Sequence, residues 1–362
     1  MKFKCEKDSL LRGISLCQGV LSTRSTLPIL SYYLFEAKGG ILNISATDLE
    51  VGVTAEIKSE IIEEGGITLP GKRVLDLIRE FPSGEISLSS EENFTTIKGQ
   101  KVWVKISSLS TEDFPQFPEV KGKEIRIESE KLKNMIKKTS FSVSHEESRY
   151  TLNGIYMTAH EKVISMVSTD GRRLSCITEE LLTPCSQEME AILPLKAGQE
   201  LNRVMEEGEV EVVWGEKQMK FTQPGITLTT RLIEGEFPDY KKVIPKSFKG
   251  EGKIDKNLFE EAVKRAYIMT REKGVSVRLS FSSHKLKLTT RVPEIGESSE
   301  DLEMEYNGED LEIAFDPVFI LDVLKVMESE KVIMGINGPL DPALIRPDAG
   351  ENYLYVVMPM KI

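Results

Sequence analysis

The sequence predicts an α+β fold in which one plan, two helices laid on antiparallel sheet, is repeated three times. Three observations lead to this prediction. Three stretches each open with an alternating segment that runs into a helix. A second helix begins roughly 60 residues after each of these starts, and Gly-, Asn- or Pro-punctuated alternating segments fill the space between. Repeated units of this kind build assemblies that share a common inner face.

Length and charge restrict the function. At about 150 residues per domain, 362 residues make two to three domains, large enough to fold without disulfide or metal staples. The net charge is −11, whereas a protein that grips nucleic acid by bulk charge is usually basic, so any nucleic-acid role must use a local basic surface or must not depend on tight gripping. No apolar run reaches membrane-spanning length and the start carries no signal peptide, so we expect a cytoplasmic protein. The four cysteines form no C-x-x-C pair and are expected to be reduced thiols.

The first helix of each copy is predicted from a capping residue followed by helical apolar spacing. Asp8-Ser9, Ser129 and Asp255 are the capping candidates, because Asp and Ser oxygens accept an unpaired backbone N–H. The second helices are predicted near Pro70, Pro194 and Pro317, since proline is well tolerated at a helix start. The expected helices are 7–20, 71–81, 129–141, 194–207, 255–273 and 316–328.

Strands are expected between the helices, and short phrases recur from copy to copy. Ser45-Ala46-Thr47-Asp48 resembles Ser168-Thr169-Asp170, and Asp113-Phe114-Pro115 resembles Glu236-Phe237-Pro238. We therefore predict three domains, 1–121, 122–249 and 250–362. The alternative is two unequal α+β domains in which the similar short segments arise by chance. The predicted strands include Ile41–Ala46, Val51–Ile57, Thr95–Ile106, Lys162–Ser168, Glu209–Trp214, Ile226–Leu232, Val277–Phe281 and Leu286–Arg291.

Basic residues are concentrated in the helices. The six predicted helices carry a net charge of +3, so the rest of the chain carries −14. A surface lined by these helices could face phosphates while the outside stays acidic. Ordinary solvated helix faces would give the same count, so this bias alone does not decide the matter.

No motif for catalysis, cofactor or metal binding withstands inspection. Gly66-Ile67-Thr68-Leu69-Pro70-Gly71-Lys72-Arg73 imitates a P-loop, but Arg73 stands where Ser or Thr would hold Mg²⁺. The three histidines, His145, His160 and His284, have no metal-ligand spacing, and no G-x-S-x-G elbow is present. We expect no cofactor, no metal and no catalytic residue.

Two segments are candidates for binding. Thr169-Asp170-Gly171-Arg172-Arg173-Leu174 is either a tight turn after a strand or the rim of a binding site. The C-terminus is apolar to its end; Tyr353–Val357 predicts a final strand, and Met358-Pro359-Met360 suits an adaptable apolar groove.

Taken together, these phrases resemble those of the bacterial sliding clamp family, the beta subunits of DNA polymerase III, along the whole chain. The matching segments are Leu27-Pro28-Ile29-Leu30, Ala46-Thr47-Asp48-Leu49-Glu50, Asp113-Phe114-Pro115, Arg149-Tyr150-Thr151-Leu152-Asn153-Gly154, Thr169 to Leu174, Phe237-Pro238-Asp239-Tyr240, Leu321-Asp322-Val323-Leu324 and Val356-Val357-Met358-Pro359-Met360.

The resemblance implies a head-to-tail homodimer whose six domains form a ring around duplex DNA, with helices lining the hole. Such a ring holds DNA by topology and needs only sparse, sequence-independent phosphate contacts. It implies a clamp loader, the replicative polymerase and other proteins with a clamp-binding motif as partners, and no membrane. A general DNA-binding protein, or an enzyme on a repeated α+β scaffold, is the alternative.

The resemblance also implies site residues. Partners insert a short peptide bearing Gln and Leu or Phe into a groove formed by Leu152, Thr169, Gly171, Arg172, Arg173, Leu174, Pro238, Val243, Asp316, Phe319, Leu340, Pro342, Val356, Met358, Pro359 and Met360. Some members have His at Arg172, Asn at Asp316 and Tyr at Phe319. The DNA-facing positions that match are Arg24, Arg73, His145, Tyr150 and Lys196, to which helix charge adds Lys72, Lys131, Lys138 and Arg203. The ring joint matches Val104 and Ile106 against Ile268 and Met269.

Overall fold

A computed structural model describes residues 1–22, 26–270, 275–293, 295–350 and 352–361. These residues form six α-helices and 24 β-strands, in an order that repeats three times.

The first repeat contains β1 (Lys2–Glu6), α1 (Lys7–Cys17), β2 (Tyr32–Lys38), β3 (Ile41–Thr47), β4 (Val51–Lys58), β5 (Glu60–Glu63), β6 (Gly65–Pro70), α2 (Gly71–Glu80), β7 (Glu85–Glu91), β8 (Phe94–Gly99) and β9 (Val102–Ser107). The second contains β10 (Lys123–Glu128), α3 (Ser129–Ser140), β11 (Gly154–Thr169), β12 (Arg173–Pro194), α4 (Leu195–Val204), β13 (Glu209–Trp214), β14 (Gln218–Gln223) and β15 (Ile226–Arg231). The third contains β16 (Gly250–Asp255), α5 (Lys256–Met269), β17 (Val277–Ser282), β18 (Lys285–Val292), β19 (Gly296–Glu303), β20 (Glu305–Tyr306), β21 (Leu311–Phe315), α6 (Pro317–Val326), β22 (Lys331–Ile336), β23 (Ala343–Pro347) and β24 (Tyr353–Val357).

All six predicted helices are present, with shorter ends than expected. Asp255 caps α5, because its carboxylate accepts from the backbone N–H of Leu258 at 2.9 Å, and Asp316 caps α6 in the same way. The prediction of Asp8 as a cap is wrong: α1 already begins at Lys7, and no side chain caps it. Ser129 is the first residue of α3 rather than the residue before it. The predicted end of α5 at 271–273 lies outside the described residues.

The single strand predicted over residues 95–106 is in fact a hairpin. β8 and β9 pair antiparallel, with Ile97 opposite Val104. Gln100 takes a φ of +45° in the turn between them. The apolar alternation changes phase across this turn, because Ile97 stands at an odd position and Val102 and Val104 at even ones; the prediction overlooked that shift and joined the two runs into one strand.

Contact density divides the chain into two compact units. The first contains Met1–Lys133, Leu181–Cys185 and Lys196–Leu232, and the second contains Asn134–Glu180, Ser186–Leu195 and Ile233–Ile362. The first unit carries an eight-stranded sheet, β10-β13-β14-β15-β4-β3-β2-β6, and a five-stranded sheet, β5-β1-β7-β8-β9. The seven-stranded sheet β11-β12-β24-β23-β22-β16-β20 and the four-stranded sheet β19-β18-β17-β21 complete the list.

Two of these sheets run from one repeat into the next. In the first unit, β15 of the second repeat pairs antiparallel with β4 of the first, with Ile226 opposite Ala55. β24 of the third repeat pairs antiparallel with β12 of the second in the same manner, with Tyr353 opposite Ile177. In the first repeat, β9 is the counterpart of β15 and β24, and in the third repeat β19 is the counterpart of β4 and β12. Each of these two strands lies at the edge of its sheet.

The helices bury one face against the sheets and leave the other in solvent. α2 illustrates the pattern, since Val74 and Ile78 are buried while Lys72 and Arg73 are exposed. This amphipathic arrangement is what the apolar spacing predicts.

Candidate partner groove and DNA-facing surface

A tight turn links β11 to β12, and its own side chains fix its shape. The Thr169 hydroxyl donates to the carbonyl of Arg173 at 2.6 Å and accepts from the N–H of Gly171 at 3.0 Å. Asp170 Oδ1 accepts from the backbone N–H groups of Arg172 and Arg173. Gly171 has a φ of +87°, a conformation that favours glycine. The segment from Thr169 to Leu174 therefore forms a tight turn, which is one of the two alternatives that the sequence predicted for it.

Arg173 extends from this turn to α6. Its Nε donates to Asp170 Oδ2 at 2.9 Å, and its Nη1 donates to Asp322 Oδ2 at 2.8 Å. Nη2 donates to the backbone carbonyl of Phe141 at 2.7 Å. The guanidinium lies 4.5 Å from the centre of the Phe319 ring. The guanidinium of Arg173 thus connects three segments: the β11–β12 turn, the residue after α3 and the first turns of α6.

An apolar layer lies beneath the turn. Leu174, Val356 and Leu344 are buried in one cluster, with Val167 and Cys176. Aromatic side chains cover this cluster: Tyr156 stacks on Phe237, with ring centres 4.7 Å apart. Residues of two repeats therefore form a single apolar floor.

Apolar side chains stay exposed at the predicted groove. Leu340 is 65% exposed, and Val243 and Met358 are also among the exposed large hydrophobic residues. The tail that carries Met358 is tethered, because the N–H of Met358 donates to the carbonyl of Arg172 at 2.8 Å and that of Met360 donates to Ala314. A backbone-anchored chain with accessible apolar side chains suits an apolar ligand.

The remaining predicted groove residues have varied positions. Asp316 is engaged as the cap of α6, and Leu152 is buried with its carbonyl accepting from Ser144. Pro238 and Arg172 are exposed, whereas Pro342 and Pro359 are partly buried. All sixteen predicted positions belong to the second compact unit. We refer to the region that the family resemblance assigns to partner peptides as the partner groove, with Arg172, Val243, Phe319, Leu340 and Met358 as its partly or fully exposed predicted members.

Sequence reasoning missed several residues that shape this groove. Phe141 and Asp322 hold Arg173, and the Tyr355 hydroxyl donates to the carbonyl of Phe319 at 2.9 Å. Asp322 lies in a segment that carries the family resemblance, but no role followed from that match. A spatial cluster of this kind leaves no spacing signal in the chain.

One predicted DNA contact is wrong. Lys138 has no exposed surface, and its ammonium lies 5.7 Å from the centre of the Tyr353 ring. A lysine in this position cannot reach a phosphate. Net helix charge does not distinguish the buried from the exposed face, and this is why the prediction failed.

Two further candidates are engaged within the first unit. Lys196 forms an ion pair with Asp48. Arg203 donates to the carbonyls of Ser15 and Leu16 at the end of α1, and to Glu200. These contacts give both residues a structural role that the sequence did not indicate.

The other candidates for DNA contact are more accessible. Lys72, Arg73, His145 and Tyr150 are exposed, and Lys131 is partly buried and 3.9 Å from Glu128. Arg24 lies outside the described residues. Of the joint candidates, Ile268 is 60% exposed, Val104 and Met269 are partly buried, and Ile106 is buried within its own sheet.

Other classes of site have no support in the described ranges. Within them, no group of His, Cys, Asp and Glu is arranged to hold a metal ion. Nor does any helix described there combine the length and apolar character needed to cross a bilayer.

Comparison with known proteins identifies the family. Models of the N-terminal, central and C-terminal domains of the DNA polymerase III beta subunit match residues 1–118, 126–239 and 241–361. The chain is 33% identical to the beta sliding clamp of Pseudomonas aeruginosa, with all of both chains covered. It superposes on the Bacillus subtilis DNA polymerase sliding clamp with a TM-score of 0.97 at 26% identity, covering 100% of this chain and 99% of the other. A Pseudomonas aeruginosa sliding clamp bound to griselimycin gives a TM-score of 0.96 at 32% identity, with full coverage of both. The chain therefore belongs to the family of DNA polymerase III beta subunits, the non-catalytic sliding clamps that confer processivity, and has their three-domain fold.

Proposed function

We propose that two copies of this chain join head to tail into a ring that encircles duplex DNA and tethers the replicative polymerase to it. The partner groove would receive a short peptide of the polymerase, the clamp loader or other replication and repair proteins. The ring would act in the cytoplasm, without a cofactor. The net charge of −11 favours topological holding over tight gripping.

The edge strands β9 and β19 are the observation that supports this proposal most strongly. Within the chain, β15 pairs with β4 and β24 pairs with β12. The same pairing for the third time requires β9 of one copy and β19 of another. Exposed strand edges are templates for pairing with a second chain, and a head-to-tail contact closes into a ring when its rotation permits.

The internal repeat also predicts the register of this third pairing. When the three repeats are aligned by their helix starts and strand registers, Val102 of β9 is equivalent to Ile226 of β15 and to Tyr353 of β24. By the same alignment, Glu300 of β19 takes the place of Ala55 and Ile177. Val102 would then lie opposite Glu300 of the second copy. Three residues further along β9, Lys105 would lie opposite Glu297.

Charge and helix contacts support the register. Lys105 and Glu297 are both exposed on the outer faces of their strands, so the pairing sets opposite charges side by side. Helices also meet at the two internal pairings, since Arg203 of α4 donates to the end of α1 and Lys137 of α3 pairs with Glu328 just beyond α6. The third such contact would join α5, which carries Ile268, to α2 of the other copy.

Charge reversal tests the register. Lys105→Glu should weaken the dimer in sedimentation at low salt, and Glu297→Lys in the same chain should restore it, because the pair is re-formed with opposite signs. Lys98→Glu is the matched control, since Lys98 is exposed on β8, one strand inward from the edge. If the double variant associates no better than Lys105→Glu alone, the register is wrong.

Retention on DNA tests the ring itself. The protein is loaded onto a nicked circular plasmid with a clamp loader and ATP, the complex is isolated, and half of it is linearised. Release from the linear half alone is expected for topological linkage. Equal retention on both halves would favour a general DNA-binding protein and overturn the ring. No retention on either, with an active loader, would leave the family fold without its function.

A further inference from the structure

All three guanidinium nitrogens of Arg173 donate hydrogen bonds inside the protein. Its Nε, Nη1 and Nη2 donate to Asp170, Asp322 and the Phe141 carbonyl at 2.7–2.9 Å. Its side chain is only 11% exposed. The family resemblance places this residue among those that receive the partner peptide, but its polar atoms are already directed to protein oxygens.

The partners of Arg173 belong to two segments that carry predicted groove positions, the β11–β12 turn and the start of α6. On one side, Asp170 fixes the backbone of the turn through the N–H groups of Arg172 and Arg173. On the other side, the guanidinium carbon lies 4.5 Å from the centre of the Phe319 ring, while the Tyr355 hydroxyl donates to the Phe319 carbonyl. The planar fork thus sets the spacing between the turn and the first turns of α6.

The first repeat provides an internal comparison. Thr47 and Asp48 build the same turn there, with Thr47 Oγ1 donating to the carbonyl of Val51 and Asp48 Oδ1 accepting from the N–H of Glu50. Val51 occupies the position of Arg173, and Asp48 pairs with Lys196 instead. The first repeat therefore builds the same turn without an arginine bridge, so the bridge is not needed to form the turn.

We propose that Arg173 is a positioning residue of the partner groove. It holds Phe319 and the turn at the separation that admits an apolar side chain of a partner peptide, and it donates no hydrogen bond to that peptide. This inference rests on the proposed function, because it concerns how the groove selects its ligand. It predicts that Arg173 acts on peptide affinity through Phe319.

The test compares variants for binding of one synthetic probe, a fluorescein-labelled peptide that carries a Gln followed by Leu and Phe, with an amidated C-terminus and no acidic side chain. Arg173→Lys keeps the charge but loses the fork, and should weaken binding about tenfold or more. Arg278→Lys is the matched control, because Arg278 forms an exposed ion pair with Glu312 outside the partner groove, and it should change affinity less than about twofold. Urea unfolding checks that both variants fold. If Arg173→Lys does not fold, Asp322→Asn takes its place, because it weakens the hydrogen bond between Arg173 and residue 322.

A double-mutant cycle separates positioning from direct contact. Phe319→Leu should weaken binding by itself, and Arg173→Lys added to it should cost little more, because the ring that the arginine orients is gone. Additive losses, or an unchanged affinity in Arg173→Lys, would overturn the inference. Absence of any binding by the unaltered protein would instead count against the groove itself, so the two failures are distinguishable.

Discussion

Arg203 joins two repeats, and its removal should destabilise the first compact unit. It donates to the carbonyls of Ser15 and Leu16 at the end of α1, and to Glu200, whose side chain is 11% exposed. Arg203→Met would leave this carboxylate buried without its partner, and breaking a buried pair costs about 3–5 kcal/mol. Because Arg203 itself is 32% exposed and water reaches the site, we expect the lower end, about 3 kcal/mol.

Urea unfolding followed by tryptophan fluorescence measures this loss. Both tryptophans, Trp103 and Trp214, belong to the first unit, and Trp214 is buried, so its emission reports on unfolding there. Arg12→Met is the control, because Arg12 and Glu206 form an exposed ion pair expected to contribute less than about 1 kcal/mol. Adding Glu200→Gln to Arg203→Met should recover part of the loss. Equal losses in Arg203→Met and Arg12→Met would refute the reasoning.

Three further predictions follow from other regions. Deletion of Met358–Ile362 removes the tethered tail and should abolish peptide binding while leaving the dimer intact in light scattering; an unchanged affinity would contradict the groove assignment. Ile268→Asp with Met269→Asp should give a folded monomer of about half the dimer mass, because charges would enter an apolar contact; a persistent dimer would mean the joint is elsewhere. Burial raises the pKa of Cys17 to about 12, whereas the unfolded thiol ionises from about pH 8.5. Its contribution to the free energy of unfolding should be complete below about pH 8.5 and fall as the pH rises toward 12, and iodoacetamide should not label it in the folded chain at pH 8.

Regular local patterns were readable from the sequence because they are set by neighbours along the chain. Apolar spacing located all six helices, and Asp255 and Asp316 cap theirs. The hairpin between β8 and β9 was missed because the prediction joined two apolar runs whose alternation changes phase around Gln100, the residue that adopts a positive φ in the turn.

The site was readable only in part, because side-chain partners come from distant segments. Helix charge could not distinguish buried Lys138 from exposed Lys72. The ion pair of Arg173 with Asp322 spans 149 positions and follows no sequence period. Family resemblance supplied the groove positions, whereas the bridge that holds Phe319 required the three-dimensional arrangement.

The sheets that run across repeat borders make the repeats poor fragments. Cutting the chain near residue 121 would leave β15 without β4, its neighbour in the eight-stranded sheet. A cut near residue 249 would separate β12 from β24. Either cut would expose an unpaired strand edge, through which the fragment would associate with further copies. A sequence repeat is therefore not the same segment as a unit that folds independently. Excision of the middle repeat should therefore yield aggregate, and dissection of this protein is better guided by its strand pairing than by its repeats.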